Sequence, residues 1–293
     1  MKGDEKIKKK KRRFFGLFVF PGLAGILLFV LLPFADVVKR SFTTAVTGQW
    51  NGLKNYGTIF HNQAFVLAVK NTLRFTCIGI PLLVFTGFSI ALLLNGLKGR
   101  RWMKSIFLFP LAMPTATVVL VWKLAFYRQG FLNLFLSRLG ETTGLWGEIH
   151  KDYLGSNAAF WVLVGSYLWK NTGYTVILWL AGIGGIPAEL SEAARVDGAG
   201  KWQRLRYIIL PSLRGSLYTI VVLSFLNSFK IYREAYLTAG AYPDESIYLL
   251  QHLFNNWFVN LELDKMAAAA VCTGGILMAV NLLLQRLWDK QEA

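Results

Sequence analysis

The chain has 293 residues, of which 54% are hydrophobic, 15% aromatic and only 16% charged, a balance too apolar for an ordinary soluble domain. A net charge of +16 would suggest nucleic acid in a polar protein. Here eight of the 32 basic residues fall in the first 13 positions and most others lie between apolar runs, which is the placement that orients a membrane protein and argues against nucleic-acid binding.

After the basic tail, residues 1–13, comes an uncharged run at 14–34, about the length that crosses a hydrocarbon core. Leu32-Pro33-Phe34-Ala35-Asp36 is no small-residue cleavage site, so this run reads as an uncleaved first span. A polar loop at 35–70 carries Trp50-Asn51-Gly52-Leu53-Lys54-Asn55-Tyr56. A second run at 75–94 tolerates Gly79, Pro81 and Gly87, because neighbouring helices can satisfy an interrupted backbone. A basic hinge at 98–104 precedes the third span, 106–122, which holds Pro110 and Pro114 and continues to Tyr127. Residues 128–157 read as a glycine-containing loop. The fourth span, 158–182, is interrupted by Lys170. A polar, helix-prone island at 186–211 leads into the fifth span, 207–229. A loop at 230–265 carries five acidic residues, leaving the spans without an acidic side chain, and the sixth span is 266–285. The expected architecture is therefore all-α and polytopic: six transmembrane helices in one domain over 14–288.

Six spans put both termini on one side. The loops on that side hold eighteen basic residues against ten in the longer loops opposite, so the positive-inside rule places both termini, the 98–104 hinge and the 186–211 island in the cytoplasm. The N-terminal cluster would also touch anionic membrane lipid. Cys77 and Cys272 both lie in apolar runs, so no structural disulfide is expected. The three histidines are scattered without ligand spacing, and neither a metal nor another cofactor is expected.

The island has the marks of a docking helix. Pro187 suits the first helical position, Glu189 and Glu192 favour the N-terminal half, and Leu190, Ala193, Ala194 and Asp197 share a face. Gly198 can then turn the chain in a left-handed conformation, and a second helix can start at Lys201. Gly198-Ala199-Gly200-Lys201 is not a phosphate loop. The required first glycine is Arg195, and Trp202 stands where Ser or Thr is needed. ATP hydrolysis is therefore not expected of this chain.

Glu192-Ala193-Ala194, three residues, Gly198, nine residues and Ile208-x-Leu210-Pro211 together resemble the EAA signature of permease subunits in binding-protein-dependent ABC importers. Gly52-Leu53-Lys54-Asn55-Tyr56, Asn71-Thr72-Leu73, residues 101–110, Ile186-Pro187 and Asp197-Gly198-Ala199 are similar to the carbohydrate branch related to the maltose permease. The resemblance implies a type I ABC importer permease fold in a bacterial-type cell membrane. It implies a second related permease as partner, a cytoplasmic ATPase dimer, and an extracytoplasmic sugar-binding protein. Residues Glu192, Ala193, Ala194, Asp197 and Gly198 would form the coupling element that engages the ATPase, with Asp197 shaping its turn. A permease for another solute, such as a glycerol phosphate ester, is the alternative within the class.

Aromatic faces with hydrogen-bonding neighbours suit a sugar, and Trp169, Lys170, Asn171 and Tyr174 offer such a group in the fourth span. In the fifth, Ser224, Asn227 and Ser228 recur on one helical face. The resemblance puts the substrate pathway near these segments. Lys170 would then face a cavity or a partner; the alternative is that it snorkels outward while the polar face packs on a neighbouring helix. A membrane-embedded enzyme would need acidic, His or Cys clusters within the spans, and a channel would need a filter segment. Neither is evident in the sequence.

Overall fold

The computed structural model describes residues 19–96 and 101–292. The basic tail, the first five residues of the 14–34 run, and Lys98 and Arg100 of the hinge lie outside the described residues. In chain order the helices are α1 (Val19–Ser41), α2 (Lys54–Phe60), α3 (Gln63–Asn95), α4 (Arg101–Ala112), α5 (Thr115–Phe126), α6 (Phe131–Thr143), α7 (Ala159–Gly184), α8 (Ala188–Val196), α9 (Lys201–Ser212), α10 (Arg214–Ser228), α11 (Tyr232–Ala239), α12 (Leu250–Val259) and α13 (Leu263–Glu292). Among the described residues, extended pairing is confined to an isolated bridge between Thr43 and Trp50. The chain is all-α, as its composition and apolar runs imply.

Helices α1, α3 and α13 are each long and apolar enough to cross a membrane. Three bent segments pass the same test as pairs, giving up to six spans when each pair counts as one. They are α4 with Thr115–Thr143, bent by 97°; α7 with α8, by 65°; and α9 with Arg214–Ala239, by 63°. The first break is dictated by Pro114, whose ring fixes its own φ and disfavours helix at Met113. The third falls at Leu213, two residues after Pro211, where α9 has already loosened into a π turn over Leu205–Ile209.

Three sequence expectations are corrected. The 35–70 stretch is largely helical rather than a loop, since α1 runs on to Ser41, α2 spans Lys54–Phe60 and α3 begins at Gln63. The 128–157 stretch is not simply a loop, because α6 occupies much of it. The 230–265 loop also begins later than expected. After a 3₁₀ turn at Phe229–Ile231 the helix resumes and runs to Ala239, carrying Glu234 with it. Lys230, Arg233 and Glu234 suggest a polar border, but Ile231 and Ala235, one helical turn apart, are both buried in the core and keep the segment helical. The spans are therefore not free of acidic side chains.

The chain divides into two compact units. In the first (residues 19–62 and 256–280) the turn after α1 is tied down by the Gly52–Tyr56 stretch. Asn55 Nδ2 donates to the carbonyls of Ser41 (3.0 Å) and Thr43 (2.9 Å), and the Tyr56 hydroxyl meets Ser41 Oγ at 2.7 Å. Trp50 stacks on Phe42 at 5.3 Å. These contacts account for the Asn and Tyr of that stretch as turn-fixing residues.

The second unit (residues 63–255 and 281–292) centres on α3 and α7. Phe75 and Leu83 of α3 pack with Phe160, Leu163 and Tyr167 of α7 in one core cluster; Ala91, Val176, Trp179, Leu213 and Ile220 form another. Small residues permit close approach: a Cβ at Gly173 of α7 would collide with the Phe107 carbonyl of α4, and one at Gly87 of α3 with the Thr175 side chain. In the first turns of α3, Asn71 Nδ2 donates to the carbonyls of Glu245 and Tyr248, and Thr72 Oγ1 accepts the Leu250 N–H at 3.1 Å. The Asn71-Thr72 pair thereby holds the segment that leads into α12.

Candidate functional site

The 186–211 island folds as a helical hairpin. Pro187 precedes the first helix as its N-cap in an extended conformation, one position earlier than the sequence suggests, and α8 begins at Ala188. Helix α8 ends in a Schellman-type closure: Ala199 N–H reaches back to the Ala194 carbonyl at 2.8 Å while Gly198 adopts φ +81°. Only glycine enters that region without steric penalty, which is why it stands at this turn. Gln203 Oε1 then accepts the Gly200 N–H at 2.7 Å and opens α9. Arg204 Nη1 donates to Ser191 Oγ at 3.3 Å, joining the two arms. Glu192, Ala193, Asp197 and Gly198 are exposed and Ala194 is half-buried. Leu190, Val196 and Trp202 are also exposed, so the hairpin offers apolar as well as polar side chains to solvent. Arg204 and Ser191 were not among the sequence-derived candidates, since nothing in the local pattern pairs them across the turn.

The second site is a polar seam on α7. Ser166, Lys170 and Tyr174 follow one another at four-residue spacing, and so line one face about 6 Å apart along the axis. Each crosses to another helix. Ser166 Oγ accepts from Trp122 Nε1 of α5 at 2.8 Å. Lys170 Nζ donates to Thr115 Oγ1 of α5 at 3.1 Å and pairs with Glu234 of α11 at 2.6 Å. The Tyr174 hydroxyl meets Ser224 Oγ of α10 at 2.8 Å. Beside the seam, the Tyr167 hydroxyl donates to the Ser224 carbonyl at 2.8 Å.

Lys170 thus turns inward, with 18% of its side chain exposed, against a carboxylate that is 5% exposed. An unpaired charge at the centre of a span costs about 2.5–3.5 kcal/mol on insertion scales. Removing one partner of a buried pair typically costs about 3–5 kcal/mol, since the other charge is stranded. The pair therefore stands or falls together. It joins α7 to the break at Met113–Pro114 and to the helix that follows the 3₁₀ turn.

The other sequence candidates are used differently. Trp169 packs edge-to-face on Trp122 at 5.7 Å. Asn171 Nδ2 donates to the Tyr167 carbonyl and Ser228 Oγ to the Phe225 carbonyl, both within their own helices. Asn227 Oδ1 accepts from Lys230 at 2.9 Å. The structure brings Lys170, Tyr174 and Ser224 into one seam, sets Trp169 alongside, and leaves Asn171 and Ser228 bonded to local backbone. Glu234, Thr115, Ser166 and Trp122 are the members that sequence reasoning missed. A signal existed for Glu234, because a lysine in an apolar span requires a counter-charge.

Residues 79–291 match the family described as binding-protein-dependent transport system inner membrane component. The trehalose/maltose transport system permease protein MalF of Thermococcus litoralis is 30% identical over 260 residues, covering 86% of each chain. The sulfoquinovosyl glycerol transport system permease protein SmoG of Agrobacterium fabrum is 29% identical, covering 92% of this chain and 89% of that one. In fold, the chain is similar to a chain of a bacterial ABC transporter involved in import of the acidic polysaccharide alginate. The TM-score is 0.82 at 20% identity, with 97% of this chain and 99% of that one covered.

Proposed function

Because this chain belongs to the family of binding-protein-dependent transport system inner membrane components, we propose that it is the permease subunit of an ABC importer that moves a sugar or oligosaccharide into the cytoplasm. The observation that carries the coupling part of this reading is the exposed hairpin closed by Gly198. A cytoplasmic ATPase dimer supplies the energy, docking on α8 around Glu192 with Ala193 and Ala194 allowing close approach. A second, related permease completes the pore, and an extracytoplasmic binding protein delivers the cargo. The names of the trehalose/maltose and sulfoquinovosyl glycerol permeases support a carbohydrate cargo.

The hairpin is internally braced by the Arg204–Ser191 contact and the turn at Gly198. It is joined at one end to α7 and at the other, through the bend at Leu213, to α10. A displacement of α8 by a closing ATPase dimer would therefore be delivered to the two helices that meet at Tyr174 and Ser224. Parting that contact would free hydroxyls for a saccharide, with Trp169 as a stacking face and Lys170, Asn171, Asn227 and Ser228 nearby. Rigid-body rocking of packed helices about such a contact is a common form of switching.

Uptake of labelled sugar by cells producing the complete importer tests the docking role. Glu192→Lys reverses the charge at the exposed centre of α8, and Gly198→Val places a β-branched residue at φ +81°, where a left-handed conformation costs about 1–2 kcal/mol or more. Both variants should insert normally and lose uptake together with co-purification of the ATPase. Normal uptake by both would refute the docking role of α8.

A further inference from the structure

Within the seam two opposite charges face each other among neutral polar groups; the further cation nearby, Lys230, is exposed and bonded to Asn227. Lys170 and Glu234 meet at 2.6 Å, Thr115 gives the ammonium a second acceptor, and the remaining rungs are formed by Ser166, Trp122, Tyr174 and Ser224. The charges cancel within one contact. The carboxylate belongs to the protein itself, held by a helix that packs into the core through Ile231 and Ala235, so it faces Lys170 at a high effective concentration. An acid arriving from solution must displace it to gain the same contact, and displacing it would strand Glu234 in a buried position. A neutral cargo makes no such demand. It needs only hydroxyl partners, and the Tyr174–Ser224 rung supplies these once α7 and α10 separate.

We infer that Glu234 determines the charge selectivity of this path: by cancelling Lys170 it reserves the seam for uncharged saccharides. Without it, Lys170 and Thr115 present an ammonium and a hydroxyl that retain acidic ones. Specificity of this kind works by denying a contact to the wrong ligand rather than by adding one for the right ligand. The inference rests on the seam's serving as the transport path proposed above. Glu234 acts through Lys170 and is a positioning residue.

Trp169 immediately precedes Lys170 and packs edge-to-face on Trp122, which donates to Ser166, so tryptophan fluorescence of the full chain in nanodiscs can report binding at the seam without any partner subunit. The probes are digalacturonate, its uncharged counterpart digalactose, and inorganic phosphate. The wild-type chain should give no response to digalacturonate. Glu234→Gln should give a saturable, salt-sensitive response at least about tenfold tighter than any in the wild type. The double variant K170Q/E234Q should lose it again, which a merely structural role for Glu234 would not produce. Equal digalacturonate responses in wild type and E234Q, or a response that survives in K170Q/E234Q, would overturn the inference. Should E234Q not survive purification, the reversed pair K170E/E234K restores cancellation and must reject digalacturonate as the wild type does; binding by it would overturn the inference equally. The phosphate arm separates this claim from the reading beneath it. If E234Q draws phosphate as strongly as digalacturonate, charge selectivity is upheld and the carbohydrate assignment is what loses support. A preference for digalacturonate supports both.

Discussion

Lowering the pH from about 7.5 to about 5 should loosen the segment around His252, and the structure sets the size of the effect. The His252 ring is fully buried, edge-on to Tyr232 at 4.8 Å and stacked on Tyr248 at 5.7 Å. Its Nδ1 accepts the Leu249 N–H at 3.1 Å, so in the neutral ring the proton sits on Nε2, which is buried and unpartnered. A second proton would have to enter at Nδ1, breaking that bond and placing a charge among three tyrosine rings. Burial accordingly pushes the His252 pKa down from 6.5 to about 4. The folded pKa lies below the unfolded one, so between these values the unfolded segment binds more protons. The stability His252 allows is present above about pH 6.5 and is lost as pH falls toward 4, by roughly 3 kcal/mol in all and about 2 kcal/mol by pH 5. Hydrogen exchange on the full chain in nanodiscs measures this directly. After correction for intrinsic exchange rates, protection of the Leu249 and Leu250 amides should fall roughly 30-fold between the two pH values. His252→Asn keeps an acceptor near the Nδ1 position and does not titrate, so its protection should be flat with pH. Unchanged protection in the wild type, or the same pH dependence in the asparagine variant, would refute the reasoning.

Two further substitutions probe the packing that positions the sites. Gly173→Ala puts a methyl group onto the Phe107 carbonyl, so α4 and α7 must separate; a loss of about 1–3 kcal/mol is expected as a lower melting temperature in detergent, and an unchanged melt would show that the approach is not tight. Asn71→Ala strips the Glu245 and Tyr248 carbonyls of a shared donor. At about 0.5–1.5 kcal/mol for a typical hydrogen bond lost, proteolysis of the 240–249 segment should accelerate while the melting of α3 and α7 changes little; equal cleavage rates would count against this role.

Much of this protein was legible before any coordinates. Apolar runs bounded by charges located the core of each candidate span, because an uncharged run of that length is a local, compositional property, but the helices extend past those runs to Gln63 at one end of α3 and to Ser41 and Ala239 elsewhere. The turn at Gly198 was legible for a similar reason: a glycine directly after Asp197, the last residue of the repeating face of a short polar helix, is a local stop signal. The Schellman bond and the positive φ of Gly198 follow from that local chemistry.

Tertiary structure decided the rest. Pro114 stands inside the run expected as a single third span, and a proline constrains only its own φ and its predecessor, so the 97° bend depended on what α4 and α5 each pack against. The stretch 230–239 looked like loop because its charges were counted and its buried partners were not; Ile231 and Ala235 make it helix by filling the core. Lys170 illustrates the division best. Its cost in an apolar span was evident from sequence, and so was the need for relief. Which residue relieves it could not be read locally, since Glu234 lies 64 positions away and reaches it only because two interrupted spans pack on one face of α7.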